Sequence, residues 1–433
     1  MFFILQSLKN IFVHSSGKLL LFIVLINLTN FLSTTDFADY ILFLNLFSLS
    51  LLFSTLGIPQ FIIRMIKNQN SHLFKVVILS LVSNLILNII FIFIFSFLLN
   101  IELNVSLSYI FLFFTISSFN ATLLSILHGY NKVLFADFLD FLLKPLIIFI
   151  SVFFIYFTFS KNITFSNVVL SYLLSQFILF LILIIKISLL LRDISDQNFE
   201  TTFNKNFFFK SIFFLGATSF LHIFNSRIDI FMINFYLDDL QLAEYGLALQ
   251  LFAIVNFPIL AIRSIFIPKF YDHIKNLKFL EANDQLNLIK IGILYLHIIL
   301  IILITLFGKK IFIIFFNQNY HDSVNLLVIY LIFNMFTLPF LLSEVILHSL
   351  HKEHLIPSFT FFSAIINILM NLIFIPLMGV YGALFSTIFC NFLVHFLMYL
   401  AVFKFNNNFI LLNFGDFKNF NNYLKINFFS SYK

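Results

Sequence analysis

Long apolar runs separated by short polar connections make up almost the whole chain, and each run is about the length needed to cross a bilayer. Hydrophobic residues occupy every side of a run. That matches neither the alternation of a half-buried strand nor the single stripe of a surface helix. Within lipid only helices and closed barrels satisfy their backbone groups, and barrel strands would be short and alternating. The pattern predicts helical spans at 16–34, 39–58, 74–99, 105–127, 138–159, 165–190, 208–236, 243–267, 286–307, 324–348, 355–376 and 380–403. It describes an all-α membrane protein of about twelve transmembrane helices with no room for a soluble domain.

Composition agrees. Of 433 residues, 61% are hydrophobic and 10% charged, where a soluble globular chain carries about a quarter charged. Phe occurs 69 times and Trp never, which reads as the residue usage of an AT-rich coding sequence rather than as an aromatic site. The single cysteine, Cys390, allows no internal disulfide and makes no metal site. Residues 1–10 lack the small-residue pattern of a cleavable signal, so the N-terminus is expected to be retained.

Lys and Arg orient the spans. With the N-terminus in the cytoplasm, twenty of the 25 basic residues collect on the cytoplasmic side, in connections or at the cytoplasmic ends of spans, and only Lys161, Lys309 and Lys310 lie outside. Arg227 and Arg263 fall within spans. Both termini are therefore expected on the cytoplasmic face. The net charge of +6 is accounted for by basic residues meeting anionic headgroups, and it does not call for nucleic acid.

A polar connection from Lys186 to Asn206 divides the spans into two sets of six. The expected organisation is an N-terminal lobe at 1–190, a cytoplasmic linker at 191–206, a C-terminal lobe at 207–405 and a cytoplasmic tail at 406–433. The tail is Asn- and Phe-rich and is interrupted by Asp416 and Lys418, so it reads as interfacial rather than as a thirteenth span. Local patterns recur between the halves. Residues 37–47 and 242–252 open the second and eighth spans, and 126–132 and 346–352 close the fourth and tenth. Matched positions on the same side give the halves parallel topology, an arrangement typical of transporters.

Polar chemistry inside the spans is sparse. A charge in mid-helix costs at least about 2.5–3.5 kcal/mol on insertion scales, so it needs a partner or a wet cavity. Arg227 and Asp229 lie inside the seventh span, Glu344 lies deep in the tenth, and Arg263 is near enough to an end to snorkel. Arg227 and Asp229, two apart, face different ways. Two readings of Arg227 stand: a guanidinium that binds a diphosphate or acidic sugar in a central cavity, or an internal ion pair with Asp229 or Glu344. Asp229 and Glu344 could instead couple transport to protons or sodium. Asn367 and Asn371, four apart, share a helix face and suit interhelical hydrogen bonds or substrate contact. Pro376 is expected to end the eleventh helix, with Gly379 and Gly382 permitting the reversal. His128, His222, His297, His348 and His395 read as polar packing residues. No spacing suggests a metal, a phosphate loop or a catalytic triad, so neither enzyme nor cofactor is expected.

Residues 367–387, in which an Asn-containing span ends at Ile-Pro and a Gly-x-x-Gly-Ala turn opens the next, resemble polysaccharide flippases. Residues 216–220, 227–229 and 244–248 are similar to that family's seventh and eighth spans, and 347–352 to a short cytoplasmic turn. The family is the polysaccharide transport branch, including O-antigen flippases, of the multidrug/oligosaccharidyl-lipid/polysaccharide exporter (MOP) superfamily. Asp238 and Asp239 in an outer turn, and only 10 glycines, depart from its pattern. The resemblance implies a MATE-like, V-shaped pair of lobes in the cell inner membrane. It would move undecaprenyl-diphosphate-linked oligosaccharide, an O-antigen or capsule repeat unit, to the periplasmic leaflet by alternating access. Arg227, Asp229, Glu344, Asn367 and Asn371 are the candidate substrate-binding residues. Lipid-linked oligosaccharide, membrane lipids, a polysaccharide polymerase and chain-length proteins are the partners implied. A multidrug cation antiporter of the same superfamily is the alternative, although Asp39, Asp137 and Asp140 all sit near span ends. A membrane-embedded polysaccharide polymerase would need an outer connection more substantial than 308–323.

Overall fold

The computed structural model describes residues 2–67, 73–98, 105–158, 163–192, 205–256, 279–350, 352 and 354–405. Among these residues the structure is helical throughout, with short turns and no strand. The helices are α1 (Phe2–Phe31), α2 (Thr34–Thr55), α3 (Ile58–Lys67), α4 (Leu73–Leu98), α5 (Leu107–Gly129), α6 (Val133–Asp137), α7 (Lys144–Thr158) and α8 (Phe165–Arg192). There follow α9 (Lys205–Tyr236), α10 (Asp239–Val255), α11 (Phe279–Phe315), α12 (Asp322–Asn334), α13 (Ser343–Ser349), α14 (Leu355–Met378) and α15 (Val380–Phe405). A π-helical turn, Phe138–Leu143, joins α6 to α7.

Nine stretches of helix among the described residues are long and apolar enough to cross a bilayer, and ten if the bent pair Gln318–Asn334 and Leu338–Ser349 is one span. With α9 and α10, the helices matching expected spans number twelve. The eighth span is described only as far as Asn256, and Arg263 lies outside the described residues, as do 193–204 of the expected linker and the tail 406–433.

Three expectations are corrected. The tenth span is not one helix: it breaks by 52° between α12 and α13, where Pro339 lies in a short 3-10 turn, Leu338–Phe340. Pro376 does not end the eleventh helix, because it removes only its own donor, and α14 runs two residues beyond it. The stop comes at Gly379, which takes φ 61° and donates its N–H to Ile375 O at 2.8 Å. The ninth span, expected at 286–307, lies within a helix of 37 residues, because a hydropathy pattern registers only the apolar middle of a helix that continues past it at both ends. A further element was not foreseen. In α3, Ile58, Phe61, Ile62 and Met65 are buried while Gln60 and Arg64 are exposed, a one-sided helix that follows Leu56 at φ 42°.

The chain forms two compact units, Met1–Phe224 and Asn225–Lys433. Lipid gives little hydrophobic drive for helices to associate, so close packing and hydrogen bonds carry that task. In the first unit Ser50 of α2 donates to Asn88 Oδ1 of α4 at 3.0 Å, and Asn88 donates to Ser118 Oγ of α5 at 3.0 Å. Asn84 donates to Thr122 Oγ1 at 2.8 Å, and Asn120 to Gln176 Oε1 of α8 at 2.8 Å. Tyr40 and Tyr172 join α2 to α8 through their hydroxyls, 2.8 Å apart. Pro145, lacking an N–H, cannot donate to Phe141 O, the oxygen four residues before it and beside the π turn. A Cβ at Gly17 would lie 1.5 Å from that oxygen, so only glycine lets α1 approach there. Gly216 likewise brings the early part of α9 against the Leu56 carbonyl, 1.9 Å from a notional Cβ.

In the second unit α14 and α15 form the tightest hairpin. A Cβ at Gly382 would lie 2.1 Å from Phe374 O, so the two backbones touch. Gly382→Val should therefore lower the thermal unfolding midpoint in detergent far more than Gly379→Ala. The latter, at φ 61° and ψ −141°, puts an alanine in a backbone region open essentially to glycine alone and should cost about 1–3 kcal/mol. Equal midpoints for the two variants would contradict the backbone contact.

Candidate functional site

Asn225 and Asp229, four apart on α9, share one helix face, and the structure turns that face into the second unit. Asp229 is fully buried. Its Oδ2 accepts the hydroxyl of Tyr245 in α10 and that of Thr387 in α15, the latter at 2.9 Å. Its Oδ1 accepts the N–H of Ile230 at 2.9 Å. Three donors from three helices thus serve one carboxylate, as burial of an ionised group requires.

One turn away, Asn225 donates to Ser363 Oγ of α14 at 3.4 Å, and its carbonyl accepts the Asn367 amide at 2.8 Å. Asn371 donates to Asn367 Oδ1 at 3.1 Å, and Ser363 to Cys390 O of α15 at 3.1 Å. Both asparagines are fully buried. Asn371 Oδ1 is buried with no hydrogen-bond partner among the described residues. The structure therefore brings Asp229, Asn367 and Asn371 into one ladder joining α9, α10, α14 and α15.

Arg227 points off that face. It is half-buried, and among the described residues it forms no ion pair and no hydrogen bond. The ion pair with Asp229 weighed from sequence is not formed: the carboxylate is turned to Tyr245, Thr387 and the Ile230 N–H, and Arg227, two residues away, faces elsewhere. Tyr330 of α12, stacked on Phe252 of α10 with ring centroids 3.9 Å apart, lies within reach of the arginine's field. Glu344 lies elsewhere, half-buried in the first turn of α13 beyond the break. Asp238, a departure from the flippase pattern, caps α10 by accepting the Gln241 N–H at 2.9 Å.

Sequence reading missed Tyr245 and Thr387, which carry no local signal; only the fold shows that they meet Asp229. It also missed a cluster in the first unit. Buried Asp137 accepts the Asn10 amide at 2.9 Å and faces His14 and His128 with N–O distances of 3.5 and 3.6 Å. His297 bonds Leu331 O at 2.9 Å, tying α11 to α12. No group of three metal-ligating side chains occurs among the described residues.

Tyr245→Phe and Thr387→Val each remove a donor from Asp229 Oδ2. Each should destabilise the protein by about 1–3 kcal/mol, and the double variant should depart from additivity. Unfolding in detergent measures this, and strict additivity would mean the two hydroxyls do not share the carboxylate.

Among curated proteins none matches this sequence. Solved structures do. An inward-facing multidrug resistance MATE family transporter of the MOP superfamily superposes with a TM-score of 0.67 at 14% identity, covering 92% of this chain and 93% of that one. An outward-facing conformation of such a transporter gives 0.64 at 14%, covering 92% and 94%. A MOP superfamily transporter from Pyrococcus furiosus, described as having a binding pocket of reverse polarity, gives 0.63 at 14%, covering 92% and 94%. At this identity the likeness establishes the fold alone, and the long apolar helices mark a multi-pass membrane protein. Residues 7–272 match the family described as "Polysaccharide biosynthesis protein", more than half of the sequence. The chain belongs to the polysaccharide biosynthesis protein family and has a MATE-like fold.

Proposed function

We propose that the protein is a flippase that moves undecaprenyl-diphosphate-linked oligosaccharide from the cytoplasmic to the periplasmic leaflet by alternating access. In this reading it sits in the cell inner membrane with both termini in the cytoplasm. Membership of a polysaccharide biosynthesis family supports a saccharide-bearing substrate, and the likeness to transporter folds supports translocation.

The observation that carries the reading is Arg227. A guanidinium within a span, half-buried and without an ion pair among the described residues, bears a cost that a structural role does not offset. Its planar fork matches the oxygens of a diphosphate. Asp229, Asn367 and Asn371 then act from behind, holding α9 so that Arg227 is presented in a fixed direction. Glu344, on a separate helix, is the candidate for coupling to a proton or sodium gradient.

Deleting the gene should leave lipid-linked repeat units on the cytoplasmic leaflet. Arg227→Ala should fail to relieve that accumulation while inserting at normal abundance, and Arg227→Lys, which keeps the charge but not the fork, should relieve it in part. A stable Arg227→Ala protein that transports normally would remove the arginine from the substrate path.

A further inference from the structure

One end of the first unit carries a pocket that the transport reading does not use. Leu127 in the last turn of α5, Lys132 in the turn that follows, Phe135 of α6 and Lys186, Leu189 and Leu190 of α8 enclose about 250 Å³. That is the space of about eight waters, enough for a glycerophosphate headgroup but small for an oligosaccharide.

Two ammonium groups and an apolar wall line it, with no carboxylate among the lining residues. Among the described residues, the carboxylates of α6 and the π turn are already engaged, Asp137 by Asn10, His14 and His128, and Asp140 by Lys144. Among the described residues neither Lys132 nor Lys186 forms an ion pair. Lys186 Nζ stands 5.6 Å from the centre of the Phe135 ring, which holds the cation at the pocket's edge. Leu189, largely exposed, continues the apolar wall outward along α8. Both lysines belong to the set that the charge distribution assigns to the cytoplasmic face, where anionic headgroups lie.

We propose that this pocket binds the headgroup of an acidic phospholipid, with Lys132 and Lys186 on the phosphodiester and the leucines against the start of an acyl chain. Charge complementarity selects the headgroup, and the open apolar side selects a lipid over a free anion. The site is independent of the flippase assignment.

Native mass spectrometry of the intact protein, delipidated from mixed phosphatidylglycerol and phosphatidylcholine nanodiscs, reads the retained lipid directly. Wild type should retain phosphatidylglycerol preferentially. Lys132→Gln/Lys186→Gln should lose that preference roughly thirty-fold, at about 1 kcal/mol per lysine. Lys132→Arg/Lys186→Arg should keep it, and so should Lys309→Gln/Lys310→Gln, a control for general loss of charge. An unchanged preference in the Gln pair, or an equal loss in the Arg pair or the control, would overturn the site. Protection against unfolding by sn-glycerol 3-phosphate as strong as that by phosphatidylglycerol would also overturn it, since the occupant would then be a soluble phosphate.

Discussion

Within the hydrocarbon of a bilayer there is no water to accept or donate a hydrogen bond, so each polar group there must be answered inside its own bundle. The fold follows from that constraint. Backbone groups close on themselves as helices. Asparagines at positions that look isolated in sequence find partners one helix away, as Asn88 does between Ser50 and Ser118. At the π turn before Pro145, Gly17 lets α1 close over the Phe141 carbonyl. The carboxylate of Asp229 is the most demanding group of this kind, and three helices contribute donors to it.

The same constraint separates supporting residues from exposed chemistry on a single helix. Positions 225 and 229 of α9 are buried and committed to α10, α14 and α15. Position 227, two residues from each, cannot share their face and is left half-buried with its fork unengaged among the described residues. In the proposed flippase the ladder would fix the α9 backbone from which Arg227 reaches toward a phosphate.

How far this could be read in advance depended on the range of the cause. Span positions are legible because burial in lipid acts on every residue of a run, so α5, α8, α14 and α15 begin and end within a few residues of expectation. The Gly379 and Gly382 reversal is legible because its cause is local. The break at Leu338–Phe340 had a local signal too, in Pro339, but an uninterrupted apolar pattern concealed it. Tyr245 and Thr387 were not legible at all: Thr387 is 158 residues from Asp229, and a threonine in a span looks the same whether it bonds its own helix or another. Asn367 and Asn371 were recognised as facing one way, whereas the identity of their partner, Asn225, required the fold.

The proposed function rests most heavily on the expectation, read from the sequence, that matching turns of the two halves face the cytoplasm. Single-cysteine labelling with a membrane-impermeant maleimide, in a background with Cys390 replaced by serine, tests it most directly. Cysteines at Asn131 and Lys352 should be protected in intact cells and react only after permeabilisation, while those at Asp238 and Asn317 should react at once. Labelling of Asn131 and Lys352 from opposite sides would contradict the parallel arrangement and the transporter account built on it.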